Sequence, residues 1–159
     1  MSLSNYERMI QLANDVFDTK NDPDQLDVNE AVIEHLHRIH PATVSEYDDG
    51  NGPVVWILLI PTTLELMNKF VTGEITEQQL LNQTPLDAAY EAIYLCSAMA
   101  LEEYRGKGIP KRLTLEAIEK IRKDHPIKSL FVWPFSKQGD ILAESLARSI
   151  DLPLLKRVS

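Results

Sequence analysis

Cysteine is almost missing from this chain: Cys96 stands alone. A single thiol cannot build an intrachain disulfide framework. Cys96 lies inside an apolar run, so it reads as a buried, inert thiol. Long apolar runs are missing too. The two longest, near residues 54–61 and 92–101, are too short to cross a bilayer. No signal-peptide pattern is visible. The expectation is a cytosolic protein with no membrane partner. Basic residues are outnumbered, 16 Lys and Arg against 24 Asp and Glu, and the net charge of −8 argues against general nucleic-acid binding. There is no repeat, no low-complexity segment and no linker.

What is present suits one domain, residues 1–159. A chain of this size buries roughly 70% of its unfolded surface and folds without a disulfide or a metal. Its charge is unevenly spread. Residues 1–103 carry 18 acids and 4 Lys or Arg, a net of −14, and residues 104–159 carry 6 acids and 12 Lys or Arg, a net of +6. Such asymmetry fits an anionic ligand for one part and a cationic one for the other. It also fits two solvated faces that partly neutralise each other.

Apolar periodicity sets the elements. Leu3, Tyr6, Ile10, Ala13 and Phe17 recur at helical spacing, and Asn21-Asp22-Pro23-Asp24 breaks that run. Val28, Val32, Leu36 and Ile39 form a second helical stripe, ended by Pro41. Residues 43–47 and 54–60 flank Asp48-Asp49-Gly50-Asn51-Gly52 as a hairpin, with Pro61 ending the second strand. Residues 62–83 read as two helical pieces parted at Gly73. Leu66, Met67, Phe70 and Val71 face inward on the first piece, and Thr76 with Gln79 forms a capping box on the second. Thr84-Pro85 is a turn. Residues 93–101 are a strand. A helix over 109–123 carries a core stripe of Ile109, Leu113, Ala117 and Ile121, closed by His125-Pro126. A strand over 129–133 ends at Pro134. Leu142, Leu146 and Ile150 mark a last helix, and residues 152–158 a short final strand. Trp56 reads as core, and Trp133 and Phe135 as core or tunnel wall.

From residue 93 the order is strand, loop, helix, strand, helix, strand. Strands joined through helices run parallel, whereas the earlier hairpin is antiparallel. The expected class is therefore α/β (α+β), a mixed central sheet with helices on both faces.

The loop between the residue-93 strand and the next helix reads Glu103-Tyr104-Arg105-Gly106-Lys107-Gly108-Ile109-Pro110-Lys111-Arg112. Glycines and cations at a helix N-terminus make an anion cradle of exposed N–H groups and helix dipole. Two phosphate-loop families fail on spacing. A Walker loop needs four residues between its glycines, and here there is one. The dinucleotide fingerprint needs Gly or Ala where Lys111 stands.

Tyr104-Arg105-Gly106-Lys107-Gly108-Ile109 resembles the acetyl-coenzyme A loop of the GNAT N-acetyltransferase superfamily. That family's signature is Arg/Gln-x-x-Gly-x-Gly/Ala, read here as Arg105-x-x-Gly108-x-Pro110. The likeness covers residues 91–150 well and residues 1–60 only in element order. It implies a GNAT-like fold that holds acetyl- or another acyl-coenzyme A. The backbone from Arg105 through Gly106, Lys107, Gly108, Ile109 and Pro110 would wrap the pyrophosphate, with Lys111 adding charge. Ala98, Met99 and Ala100 would pair with the pantetheine arm like an added strand. A backbone N–H of that strand would polarise the thioester carbonyl. Glu91 and Tyr94 stand where relatives often keep the group that deprotonates the amine.

The chain departs from the family twice. Pro110 replaces a residue whose N–H would donate to phosphate, a loss of about 1.5–3 kcal/mol of binding. With Ser136 in the usual Asn place, the thiolate-protonating Tyr falls on Ala143, which cannot be an acid. The resemblance implies an N-acyltransferase acting on a small-molecule or peptide amine, cationic by the acidic character of residues 1–103, with residues 62–83 as an acceptor lid and a second copy of the chain as an allowed partner. The competing expectation is a catalytically inactive acyl-coenzyme A-binding or interaction module. A metal is not expected: His35, His37 and His40 share a helix, but positions 35 and 37 point about 200° apart.

Overall fold

A computed structural model describes residues 4–20, 30–134 and 136–157, with 14–20 described by backbone alone. The chain forms helices α1 (Asn5–Lys20) and α2 (Glu30–Ile39), then strands β1 (Val44–Asp48) and β2 (Pro53–Thr62). Helices α3 (Leu64–Val71) and α4 (Glu77–Gln83) follow, then β3 (Ala92–Ala100) and α5 (Ile109–Asp124). Strand β4 (Ser129–Val132), helix α6 (Lys137–Ile150) and strand β5 (Leu154–Lys156) complete it. Leu3, the break at 21–24, Val28, Phe135, Val158 and the Phe17 side chain lie outside the described residues.

The five strands form one sheet in the order β1-β2-β3-β4-β5. β1, β2 and β3 are antiparallel neighbours. β3, β4 and β5 run parallel, with α5 and α6 as crossovers. The mixed α/β sheet is as expected. It follows from where helices intervene between strands and where only a hairpin does.

β2 is the spine. Nine of its ten residues are buried, and Trp56 is half-buried, so both of its faces need cover. Trp56, Leu58, Ile60 and, across the ladder, Tyr94 share one face. There Tyr6 of α1 meets Trp56 edge-on at 6.2 Å, and Phe70 of α3 meets Tyr94 at 4.7 Å. Val55 and its partner Tyr47 share the other face, where Arg112 of α5 lies 5.9 Å from the Tyr47 ring. Helices therefore cover both faces. Thr76 and Gln79 make the capping box reciprocally, side chain to backbone at 3.1 and 2.9 Å.

Three local readings change. α1 does not bury Tyr6 and Ile10, which are 57% and 39% exposed. It buries Met9 instead. Two polar anchors set its roll: Arg8 reaches Glu103, and Asn5 donates to Asp49. The second change is to the inward stripes of α5 and α3, where Ile118 is fully buried, Leu113 only half-buried and Val71 half-buried.

The third change concerns Pro61, which does not end β2 but pairs with Ile93. The Thr62 carbonyl accepts the Glu91 N–H at 3.0 Å, so residue 62 faces β3 and residue 61 faces away. β1 pairing starts at Leu58, so among the described residues no strand lies opposite Pro61, and its missing N–H forfeits no ladder bond.

Candidate functional site

The sheet opens into a fork between β3 and β4. The two strands pair only over Ala92–Tyr94 and Ser129–Phe131. Beyond that point β4 keeps β5, whereas β3 continues for six residues beside β2 alone. Leu95, Cys96 and Ser97 are half-exposed and Ala98 is exposed.

A bulge bends β3 at the branching point. Leu58 pairs with Ser97, but Leu59 pairs with Leu95, which leaves Cys96 as the extra residue. Cys96 is therefore half-buried at the crotch of the fork, not the buried core thiol its apolar neighbours suggest.

Backbone direction on the free edge follows from one bond. The Leu101 N–H donates to the Val54 carbonyl at 2.9 Å. In an antiparallel ladder the polar groups alternate sides. Met99 and Ser97 thus face β2, while Ala98 and Ala100 face the fork. The Ala100 carbonyl is already taken, by Arg105 Nε at 3.0 Å. The free edge consists of the N–H and carbonyl of Ala98 and the N–H of Ala100; Met99 contributes a buried side chain.

The edge leads straight into the glycine loop. Gly106 and Gly108 both sit at φ +74, the left-handed region where a Cβ is strained. Their N–H groups and that of Lys107 donate to no carbonyl among the described residues. They lie at the start of α5, a helix of 16 residues. Pro110 occupies its first turn, where a missing N–H costs the helix nothing. Ile109 is buried and anchors that turn, and Lys111 and Arg112 follow. From Gly108 an open groove of about 530 Å³ runs along α5 past Lys111, Arg112 and Leu115.

Three clamps fix the loop. Arg8 of α1 donates to both Glu103 oxygens at 2.6 Å. This holds the Glu103 carboxyl down at about 2. The Tyr104 hydroxyl donates to Asp49 Oδ2 of the hairpin at 2.5 Å, which pushes the phenol up and the carboxyl down. Lys107 lies 5.5 Å from the Tyr104 ring centre. The third clamp is Arg105 on Ala100. It ties the guanidinium stem to the strand and turns the residue from a free cation into a brace.

The two expected proton-transfer groups, Glu91 and Tyr94, are both engaged by other side chains. Glu91 precedes β3, four residues (about 13 Å) before Leu95, and is ion-paired with Lys128 at 2.9 Å. Tyr94 is at the branching point but fully buried. Its hydroxyl donates to Glu77 Oε2 at 2.5 Å. Burial first, then the Glu77 charge, push the phenol well above its ordinary value. Ala143 is buried on α6.

Sequence reasoning missed the polar cluster around Tyr94. Glu77 opens α4, where the helix dipole favours a carboxylate, and is 4% exposed. Arg157 is 3% exposed. It donates to the Ile75 carbonyl at 2.7 Å and lies 4.2 Å from the Trp133 ring and 4.7 Å from that of Phe70. Nothing in spacing links residues 77, 94 and 157. A buried acid can be read from a sequence only when its partner sits one helical turn away. Arg8 did carry a signal, as one of only four cations in the first 103 residues.

Among the described residues, no group of three or more His, Cys, Asp or Glu could hold a metal ion, and no helix is long and apolar enough to cross a membrane. Comparison with protein-family models, curated proteins and solved structures finds no match for the chain.

Proposed function

We propose that the chain binds acetyl- or another acyl-coenzyme A in the fork and transfers the acyl group to an amine. One observation carries the reading: a half-paired strand, bulged at Cys96, whose free edge at Ala98 and Ala100 runs into the N–H groups of Gly106, Lys107 and Gly108, which donate to no backbone carbonyl among the described residues. An extended pantetheine amide arm needs a free strand edge. A pyrophosphate needs N–H donors at a helix N-terminus. The two lie end to end in that order. The GNAT resemblance of Arg105-x-x-Gly108 supports the same assignment. So does the element order after β1, and a backbone N–H at the bulge is suited to polarising the thioester carbonyl. Lys107 and Lys111 supply the cofactor's long-range attraction, and the α3–α4 segment is the acceptor lid.

A second reading is favoured by two observations. Tyr94 is buried and bonded to Glu77, and Glu91 is paired with Lys128 far from the fork. Neither is poised to take a proton, which suits a domain that holds the thioester without transferring the acyl group.

Calorimetry with acetyl-coenzyme A tests the shared claim. Binding is expected, and no heat at millimolar cofactor defeats both readings. Free-thiol release with a panel of small and peptide amines then divides them. Acceptor-dependent thiol marks the enzyme, and saturable binding without it marks the binder. Lys107→Ala with Arg105→Ala should weaken binding and flatten its salt dependence. Unchanged affinity would place the phosphate site elsewhere.

A further inference from the structure

At the far end of β3 from the loop, two imidazoles meet. His40 lies between α2 and the 3-10 turn Pro41–Thr43 and is 6% exposed. Its Nδ1 accepts the Ala42 N–H at 3.0 Å, so the ring hydrogen is on Nε2, which donates to Asp124 at 2.7 Å. His125 follows α5, and its Nδ1 accepts the Tyr90 N–H at 3.3 Å. The ring packs on Tyr90 at 4.5 Å and on His40 at 5.9 Å. Tyr90 is fully buried, its hydroxyl donating to the Pro85 carbonyl at 2.5 Å.

The geometry points to His125 as a proton-sensitive latch that joins the end of α5 to the start of β3 and releases it on acidification. An Nδ1 that accepts a backbone N–H carries no proton. Protonating it turns acceptor into donor, orphans the buried Tyr90 N–H, and sets a cation one ring-width from His40. The surrounding charges do not compensate. Asp124 is the nearest acid, but its Oδ2 is bonded to His40. Asp87 acts on the Tyr90 hydroxyl, and Glu91, beside Tyr90, is paired with Lys128. Burial first and His40 second hold the imidazole below its usual 6.5, with Asp124 opposing.

The sign follows. The unfolded chain takes this proton at higher pH than the folded one. The latch therefore contributes fully above pH 6.5, and its contribution is lost as pH falls from there toward the folded-state value. The unfolding constant should rise by up to about tenfold per pH unit in that window.

Urea unfolding of the full chain from pH 8 to 5, beside His125→Asn, tests this. Asn Oδ1 can accept the Tyr90 N–H but does not titrate. Wild type should lose stability below pH 6.5 faster than the variant, and parallel curves overturn the latch. If the variant does not fold, the wild-type NMR titration of the His125 ring decides. A midpoint below 6.5 with loss of Tyr90 amide protection across it supports the latch; a midpoint at or above 6.5 overturns it.

Discussion

Single side chains hold the candidate site through charge and burial. Glu103 carries the plainest signature. Arg8 holds its carboxyl near 2 against an ordinary 4.5, so its folded-state pKa is depressed. Its contribution to stability is present above pH 4.5 and lost as pH falls toward 2. The pair is exposed, so the effect is small and screened. Arg8→Ala should flatten the acid limb of stability between pH 4.5 and 2, as read by circular dichroism on acid titration. Tyr94→Phe tests the opposite regime. It leaves the buried Glu77 carboxylate one donor short, at a cost of about 1–3 kcal/mol in urea unfolding. Should stability hold, the hydroxyl does not support that acid. Gly108→Ala meets no neighbouring atom, but at φ +74 it should cost about 1 kcal/mol from backbone strain alone.

Elements are where sequence and structure agree best, and the bulge shows why agreement stops there. The 93–101 strand, the 109–123 helix and the parallel order after them are legible because period and punctuation are local properties. The Thr76–Gln79 box is legible for the same reason, since its partners are three residues apart. The extra residue at Cys96 is invisible, because a bulge exists only relative to the register of β2. The roll of α1 is equally invisible, because Arg8 and Asn5 answer to residues 103 and 49. The glycine loop was readable as the punctuation between a strand and a helix. The re-use of Arg105 as a brace and the burial of Tyr94 were not, since both depend on tertiary neighbours. Deleting Cys96 exploits the bulge. Leu95 and Ser97 keep their faces, and the β2–β3 ladder becomes regular. The expected result is a folded chain, with urea stability within about 1 kcal/mol of wild type, that no longer gives heat with acetyl-coenzyme A. Retained binding would show that the bend is dispensable.

Across the whole molecule, the two ends of β3 carry different chemistry. The loop end is clamped by an ion pair and a phenol–carboxylate bond, whereas at the start the His125 imidazole accepts the Tyr90 N–H. Salt should therefore weaken cofactor binding at the first, and mild acid should loosen the second. The two perturbations should act independently, and a fall in cofactor affinity at pH 5.5 that parallels loss of Tyr90 amide protection would show the ends to be coupled. The charge asymmetry acquires a location as well. The basic residues that follow position 103 begin at the loop, and the acidic N-terminal part reaches it through Asp49 and Glu103. The loop is thus the seam between the two halves.

The Arg8–Glu103 clamp also has a meaning in time. Its partners are 95 residues apart in the chain, and α1 packs on β2 and β3, which are made long after it. During synthesis, α1 can meet the β1–β2 hairpin through Asp49 and Trp56, but its Arg8 clamp cannot close until residue 103 has emerged. By then the hairpin and β3 are both available, so the arrival of one glutamate marks the moment at which the docking of α1 can be completed.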